Sequence, residues 1–175
     1  MPERPSSSSS ATDEPQPVSF GSLGGDADHP VWQIVNIWEA KPVFEKLIYH
    51  PEIVGGISQL AGQRDLMVWH DQIQYKPAQY GGSTHWHQDA PLWPIIKPMT
   101  PVSAWIPFDD ATEENGCMWM VPGSHKWAPD RKPLEHEIVS AEMPAGSAVF
   151  YLGSTIHGGG PSIRPPLGLN CVLTI

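Results

Sequence analysis

Proline and glycine set the first limit on this chain. The 175 residues include 20 prolines and 16 glycines, about a fifth of the sequence. Residues that break regular backbone this often leave no room for long helices, a coiled coil or a helical bundle, and they predict short elements joined by turns. Hydrophobic residues make up 40% and charged residues 17%, enough for a sizeable core in one domain. There is no run of 18 apolar residues, so no membrane span is expected. The N-terminus has no apolar stretch of the secretory type, so a cytoplasmic protein is expected. Only Cys117 and Cys171 occur, which excludes a disulfide scaffold or a cysteine-rich metal site. The formal charge of −9 comes without a basic face and argues against a nucleic-acid partner.

Residues 1–30 read as a disordered tail. They hold five consecutive serines, several prolines, and Glu3, Asp13, Glu14, Asp26 and Asp28 against Arg4. Such a segment buries too little surface to offset its ordering entropy. Residues 31–175 form the folded domain. Lys41-Pro42 and Pro51 mark two helix starts, with Val43, Phe44, Leu47 and Ile48 on the first apolar stripe and Ile53, Val54, Ile57 and Leu60 on the second. Gly62 is the stop of the second helix, which Gly55 and Gly56 weaken.

From Leu66 the period changes to two. Strands are predicted at Leu66–Lys76, Ser83–Asp89, Val102–Phe108, Cys117–Val121, Ile138–Ala141, Ala148–Leu152 and Gly168–Ile175. In the third, Val102, Ala104, Ile106 and Phe108 share one face and Ser103 and Trp105 the other. About seven short strands point to an antiparallel sandwich or barrel with the helices packed outside. The chain ends inside its last strand and is expected to be cut there.

The chemistry concentrates at His87-Gln88-Asp89. On a strand, residues two apart share a face, so an imidazole and a carboxylate converge. His157, after the strong strand Ala148–Leu152, is the best candidate for a third ligand, and two histidines with one carboxylate make the facial set of non-haem iron(II) oxygenases. His85 shares the parity of His87 and stands as the alternative.

Lys76-Pro77, Trp86-His87-Gln88-Asp89, Glu114-Asn115-Gly116-Cys117-Met118, Val121-Pro122-Gly123-Ser124-His125, Pro144-Ala145-Gly146-Ser147-Ala148 and His157-Gly158-Gly159-Gly160 follow one another in an order and spacing that resemble the phytanoyl-CoA dioxygenase family. The resemblance covers about residues 66–175, and Gly168–Val172 is similar to a bacterial branch of it. It implies a mainly β fold, a double-stranded β-helix (jelly-roll) with short flanking helices. It implies an Fe(II)- and 2-oxoglutarate-dependent dioxygenase that uses O2 to hydroxylate a small-molecule substrate. It assigns iron to His87, Asp89 and His157, favouring His157 over His85, and co-substrate contacts to Gln72 and Trp105. The family also carries an arginine before the Gly-Leu stretch of the last core strand, to fork onto the distal carboxylate of 2-oxoglutarate. This chain has Pro165-Pro166-Leu167 there; Arg164, the only arginine after Arg131, is the expected anchor. That departure, with the ends the family normally has and this chain is expected to lack, supports the alternative of a catalytically degenerate or truncated non-enzymatic jelly-roll protein.

Overall fold

The computed structural model describes residues 19–22, 28–62, 65–97, 101–128, 131–164 and 168–174. In chain order the elements are β1 (Ser19–Ser22), β2 (Trp32–Val35), α1 (Ile37–Ala40), α2 (Pro42–Ile48), α3 (Pro51–Ala61), β3 (His70–Lys76), β4 (Thr84–His87), β5 (Val102–Pro107), β6 (Met118–Met120), β7 (Val139–Ser140), β8 (Val149–Leu152), β9 (His157–Gly159) and β10 (Gly168–Thr174), with four short 3-10 turns between them. One sheet has the order β1-β2-β3-β10-β5-β8 and the other β4-β9-β6-β7, and every pairing is antiparallel. Among the described residues, no helix is long and apolar enough to cross a membrane.

Both helix starts fall where proline sets the backbone for a first turn, and Gly62 ends α3 in the left-handed conformation (φ 67°). The α3 stripe is narrower than expected: Ile53 and Ile57 are buried, whereas Leu60 is exposed. On α2, Ile48 is buried and Val43 faces solvent. Gly56 strengthens the helix packing. A Cβ there would lie 2.8 Å from the ring tip of Phe150, so glycine lets α3 settle directly over β8.

β5 is buried along its whole length because it is covered on both faces. Val102, Ala104 and Ile106 pack outward beneath Ile48, Ile53 and Ile57. Trp105 points the other way and joins Cys117, Met118 and Tyr151 between the sheets. The alternation read along this strand therefore separates a helix-covered outer core from the interior that holds the site.

Several boundaries differ from the sequence expectations. β3 begins at His70 rather than Leu66. β2 and β9 are additional strands. β1 lies inside the stretch expected to be tail and pairs with β2 in continuous register, Ser19 opposite Val35 to Ser22 opposite Trp32. Residues 1–18 and 23–27 lie outside those described.

Ile57 is fully buried and Val43 is 66% exposed. Ile57→Ala is expected to destabilise the fold by about 2–5 kcal/mol, and Val43→Ala by less than about 0.5 kcal/mol. Urea denaturation of the two variants beside the parent chain checks the contrast.

Candidate metal centre

β9 is the strand on which the site is built. Three successive glycines follow His157, a composition poor in strand propensity, yet each is demanded by a neighbour. A Cβ on Gly158 would lie 3.0 Å from the Thr84 carbonyl oxygen, on Gly159 2.7 Å from Lys76 Nζ, and on Gly160 2.8 Å from the Trp119 indole. The glycines let β4, β6 and the Lys76 side chain close around the strand.

β4 and β9 pair with Thr84 opposite Gly159 and His87 opposite His157, so three steps on one strand match two on the other. This bulge breaks the parity on which His85 and His87 would share a face. His85 is exposed and its ring stands outside the cluster; its contribution is a backbone oxygen that accepts a hydrogen bond from His87 Nδ1 at 2.7 Å. Asp89 also departs from simple alternation. β4 stops at His87, and Asp89 has helical backbone (φ −71°, ψ −40°) at the head of the turn Ala90–Leu92. Two backbone-directed bonds tie this turn to the β8–β9 loop, Gln88 Nε2 to Ser154 O (2.5 Å) and Ala90 N to Gly153 O (2.8 Å).

The structure brings His87, Asp89 and His157 together, with one ligand-type atom from each lying within 4.8 Å of the others. His87 Nε2 is 3.5 Å from one Asp89 carboxylate oxygen and His157 Nε2 is 3.7 Å from the other. His157 Nδ1 donates to Thr155 O at 2.9 Å, as His87 Nδ1 does to His85 O. Each ring thus spends its Nδ1 proton on a carbonyl and turns Nε2 toward the carboxylate, so that the neutral ring has Nε2 free to bind metal. The buried Ser124 hydroxyl accepts from Ile156 N at 2.8 Å and fixes the backbone just ahead of His157. Burial lowers the pKa of His157 against the pull of Asp89. Burial acts the same way on His87, but its bonds to Asp89 and His85 O outweigh it and leave that pKa raised. Tyr151, buried, has its phenol pKa raised by desolvation and by Asp89, and its ring centroid is 4.7 Å from that of His157.

Gln72 and Trp105 line the same cavity as the three candidate ligands, as do Gln74 and Lys76. Gln72 accepts a hydrogen bond from Gln33 of β2. Arg164, the expected anchor, is not brought there. Its side chain is 66% exposed and its Nη1 lies 3.0 Å from a Glu114 carboxylate oxygen on the surface. The backbone amides of Ile163 and Arg164 both donate to Glu114 O (2.8 and 3.1 Å) and hold the segment there.

The basic group at the cavity is Lys76, only 2% exposed. Sequence reading used it as the end of a strand and missed it. The available signal was a lysine at the parity of Gln72 and Gln74.

The family model for phytanoyl-CoA dioxygenase (PhyH) matches residues 10–164, and the chain belongs to that family. Phytanoyl-CoA dioxygenase domain-containing protein 1 of Mus musculus is 32% identical over 114 residues, which cover 65% of this chain and 37% of the relative. Phytanoyl-CoA dioxygenase 1 of Oryza sativa subsp. japonica is 28% identical over 143 residues, 73% of this chain and 50% of the relative. The chain thus spans between about a third and a half of the length of these curated relatives. Among solved structures, the non-haem α-ketoglutarate-dependent carbocyclase SnoK superposes with a TM-score of 0.75 at 25% identity, over 89% of this chain and 67% of SnoK. EctD from S. alaskensis, solved with 2-oxoglutarate and 5-hydroxyectoine, superposes with a TM-score of 0.72 at 23% identity, over 81% of this chain and 55% of EctD. The fold is the double-stranded β-helix of these oxygenases, with short flanking helices.

Burial penalises the ammonium form of Lys76 and pushes its pKa from 10.5 down to about 8. Between those values the unfolded chain holds the extra proton, so the Lys76 contribution to stability rises with pH and is level below about 8. From about pH 7 to about pH 10 the parent chain is expected to gain on the order of 2–3 kcal/mol relative to Lys76→Met. Urea midpoints of both proteins across that range measure it.

Proposed function

We propose that the chain is the core of an Fe(II)- and 2-oxoglutarate-dependent dioxygenase that hydroxylates a C–H bond of a small molecule, releasing succinate and CO2. The observation that carries this reading is the donor set: two imidazoles with Nδ1 committed to carbonyls and Nε2 turned toward the two oxygens of one buried carboxylate. His87, Asp89 and His157 suit a ferrous ion on one side and leave its other positions open. Held there, the ion supplies the redox chemistry by which O2 oxidises both 2-oxoglutarate and the substrate.

The remaining work belongs to the chain. His85 O and Thr155 O hold the two rings in a single tautomer and orientation, so the site is formed before any ligand enters. Gln72 and Trp105 stand along the cavity wall where the co-substrate would lie, and Tyr151 and Met118 line the same cavity. An open groove bounded by Trp86, Gln88, Arg131, Lys132 and Ile156 also reaches His87, and gives a substrate a path to the candidate ligands. Membership in a dioxygenase family supports this reading, and likeness to SnoK, an α-ketoglutarate-dependent carbocyclase, supports its dependence on 2-oxoglutarate. The second reading, a jelly-roll that binds metal without turnover, draws on the position of Arg164 outside the cavity.

His87→Ala, Asp89→Ala and His157→Ala are each expected to weaken Fe(II) binding by more than about 100-fold, because a lost ligand costs more than the 10- to 100-fold of a lost supporting group. His85→Ala keeps the backbone oxygen that His87 uses and is expected to bind nearly as the parent does. Anaerobic calorimetric titration measures the affinities. Succinate formation from 2-oxoglutarate separates the two readings: the oxygenase releases it, and the inactive jelly-roll binds metal and releases none.

A further inference from the structure

Lys76 Nζ donates to Gly160 O at 2.6 Å and to Gly116 O at 3.1 Å. An ammonium has three N–H groups, so two carbonyls leave one over. Among the described residues no carboxylate forms an ion pair with it. Cys117 is the nearby acidic group, and burial pushes its thiol up to about 11, so it stays neutral and supplies no counter-charge. A cation this deep is costly unless an anion meets it, and buried charges in proteins are paired as a rule. This one lines the cavity that holds His87, Asp89 and His157.

Its position along β9 sets the length of an anion that would meet it. Nζ lies 2.7 Å from the point where a Gly159 side chain would begin. Gly159 and His157 are two apart on a strand, hence on one face and about 7 Å apart. A ligand with one end at the His157 ring and an anionic end at Lys76 therefore has the span of a short dicarboxylic acid. Glycine at 159 is what gives the ammonium room, since any side chain would occupy its place.

We propose that Lys76 is the charged anchor for the distal carboxylate of 2-oxoglutarate, the role expected of Arg164. The assignment rests on the oxygenase reading above. The two carbonyls of Gly116 and Gly160 aim the ammonium, and Gln72 and Gln74, on the same face of β3, line the path between it and the candidate ligands. The turn that presents Gly116 is itself fixed: Asn115 and Thr112 bond each other reciprocally, and Asn115 Nδ2 donates to Asp110 O at 2.7 Å.

The test titrates two ligands into the metal-loaded protein without oxygen: 2-oxoglutarate, and 2-oxopentanoate, which has the same chelating end and no distal carboxylate. The parent chain is expected to prefer 2-oxoglutarate by on the order of 100-fold, the range of a hydrogen bond to a charged group. In Lys76→Met the preference collapses to about 2-fold or less, while 2-oxopentanoate and metal bind as before. Equal preference in variant and parent overturns the assignment, and so does a variant that loses both ligands alike, the mark of a structural staple. A second measurement needs only the parent chain. At about pH 8.5 binding of 2-oxoglutarate is expected to take up a proton and binding of 2-oxopentanoate none, read from calorimetry in buffers of different ionisation enthalpy. Equal uptake for both ligands, or none for either, counts against Lys76. A parent chain that holds metal but neither 2-oxo acid overturns the oxygenase reading, whereas one that binds 2-oxoglutarate without using Lys76 overturns this assignment alone.

Discussion

The close contact of backbones around β9 is the constraint on which the site depends. β4 lies against one edge of the strand and β6 against the other, and Lys76 crosses its face. A side chain at 158, 159 or 160 would press on the Thr84 carbonyl, the Lys76 ammonium or the Trp119 ring, and each would have to shift. The bulged pairing with β4 sets His87 opposite His157, and the turn after β4 swings the Asp89 carboxylate between them. Three candidate ligands from two strands and a turn thus owe their convergence to a segment that has no side chains of its own beyond His157.

This explains which parts of the fold were legible in the sequence. Proline at helix starts, Gly62 at a helix end and the alternation of Val102–Pro107 are local signals, and each element fell where its residues pointed. β9 carried the opposite local signal. Glycine lowers strand propensity, and only the neighbours that crowd it, far away in sequence, make it a strand. β2 was hidden for a related reason: Trp32–Val35 is a four-residue strand whose partners, β1 and β3, lie on either side of it in sequence, and it sits next to a stretch read as tail.

The candidate site was legible in its residue types and less so in its geometry. His87 and Asp89 do converge, but a helical turn rather than strand alternation places the carboxylate. Parity kept His85 in contention until the bulge removed it, since one extra residue inverts every face beyond it. Arg164 was the arginine nearest the place where the family carries one, but Glu114, fifty residues away in sequence, holds both its backbone and its guanidinium at the surface. Family resemblance carried Gln72 and Trp105 to the cavity wall, where both stand. Lys76 was passed over because the lysine before a proline reads as the end of a strand, and its burial depends on carbonyls 40 and 84 residues away.

Charge balance ties these pieces together. The cavity holds one carboxylate, Asp89, and one ammonium, Lys76, beside two imidazoles whose Nδ1 protons are already engaged. Together the protein's own groups give the cavity little net charge, although Asp89 and Lys76 form no salt bridge with each other. On the proposed reading, a divalent cation alone leaves two positive charges in a medium that penalises them, and a dianionic 2-oxo acid alone leaves two negative ones. Bound together they restore neutrality. Each ligand therefore raises the affinity of the protein for the other, a coupling that arises from burial alone and requires no change of conformation.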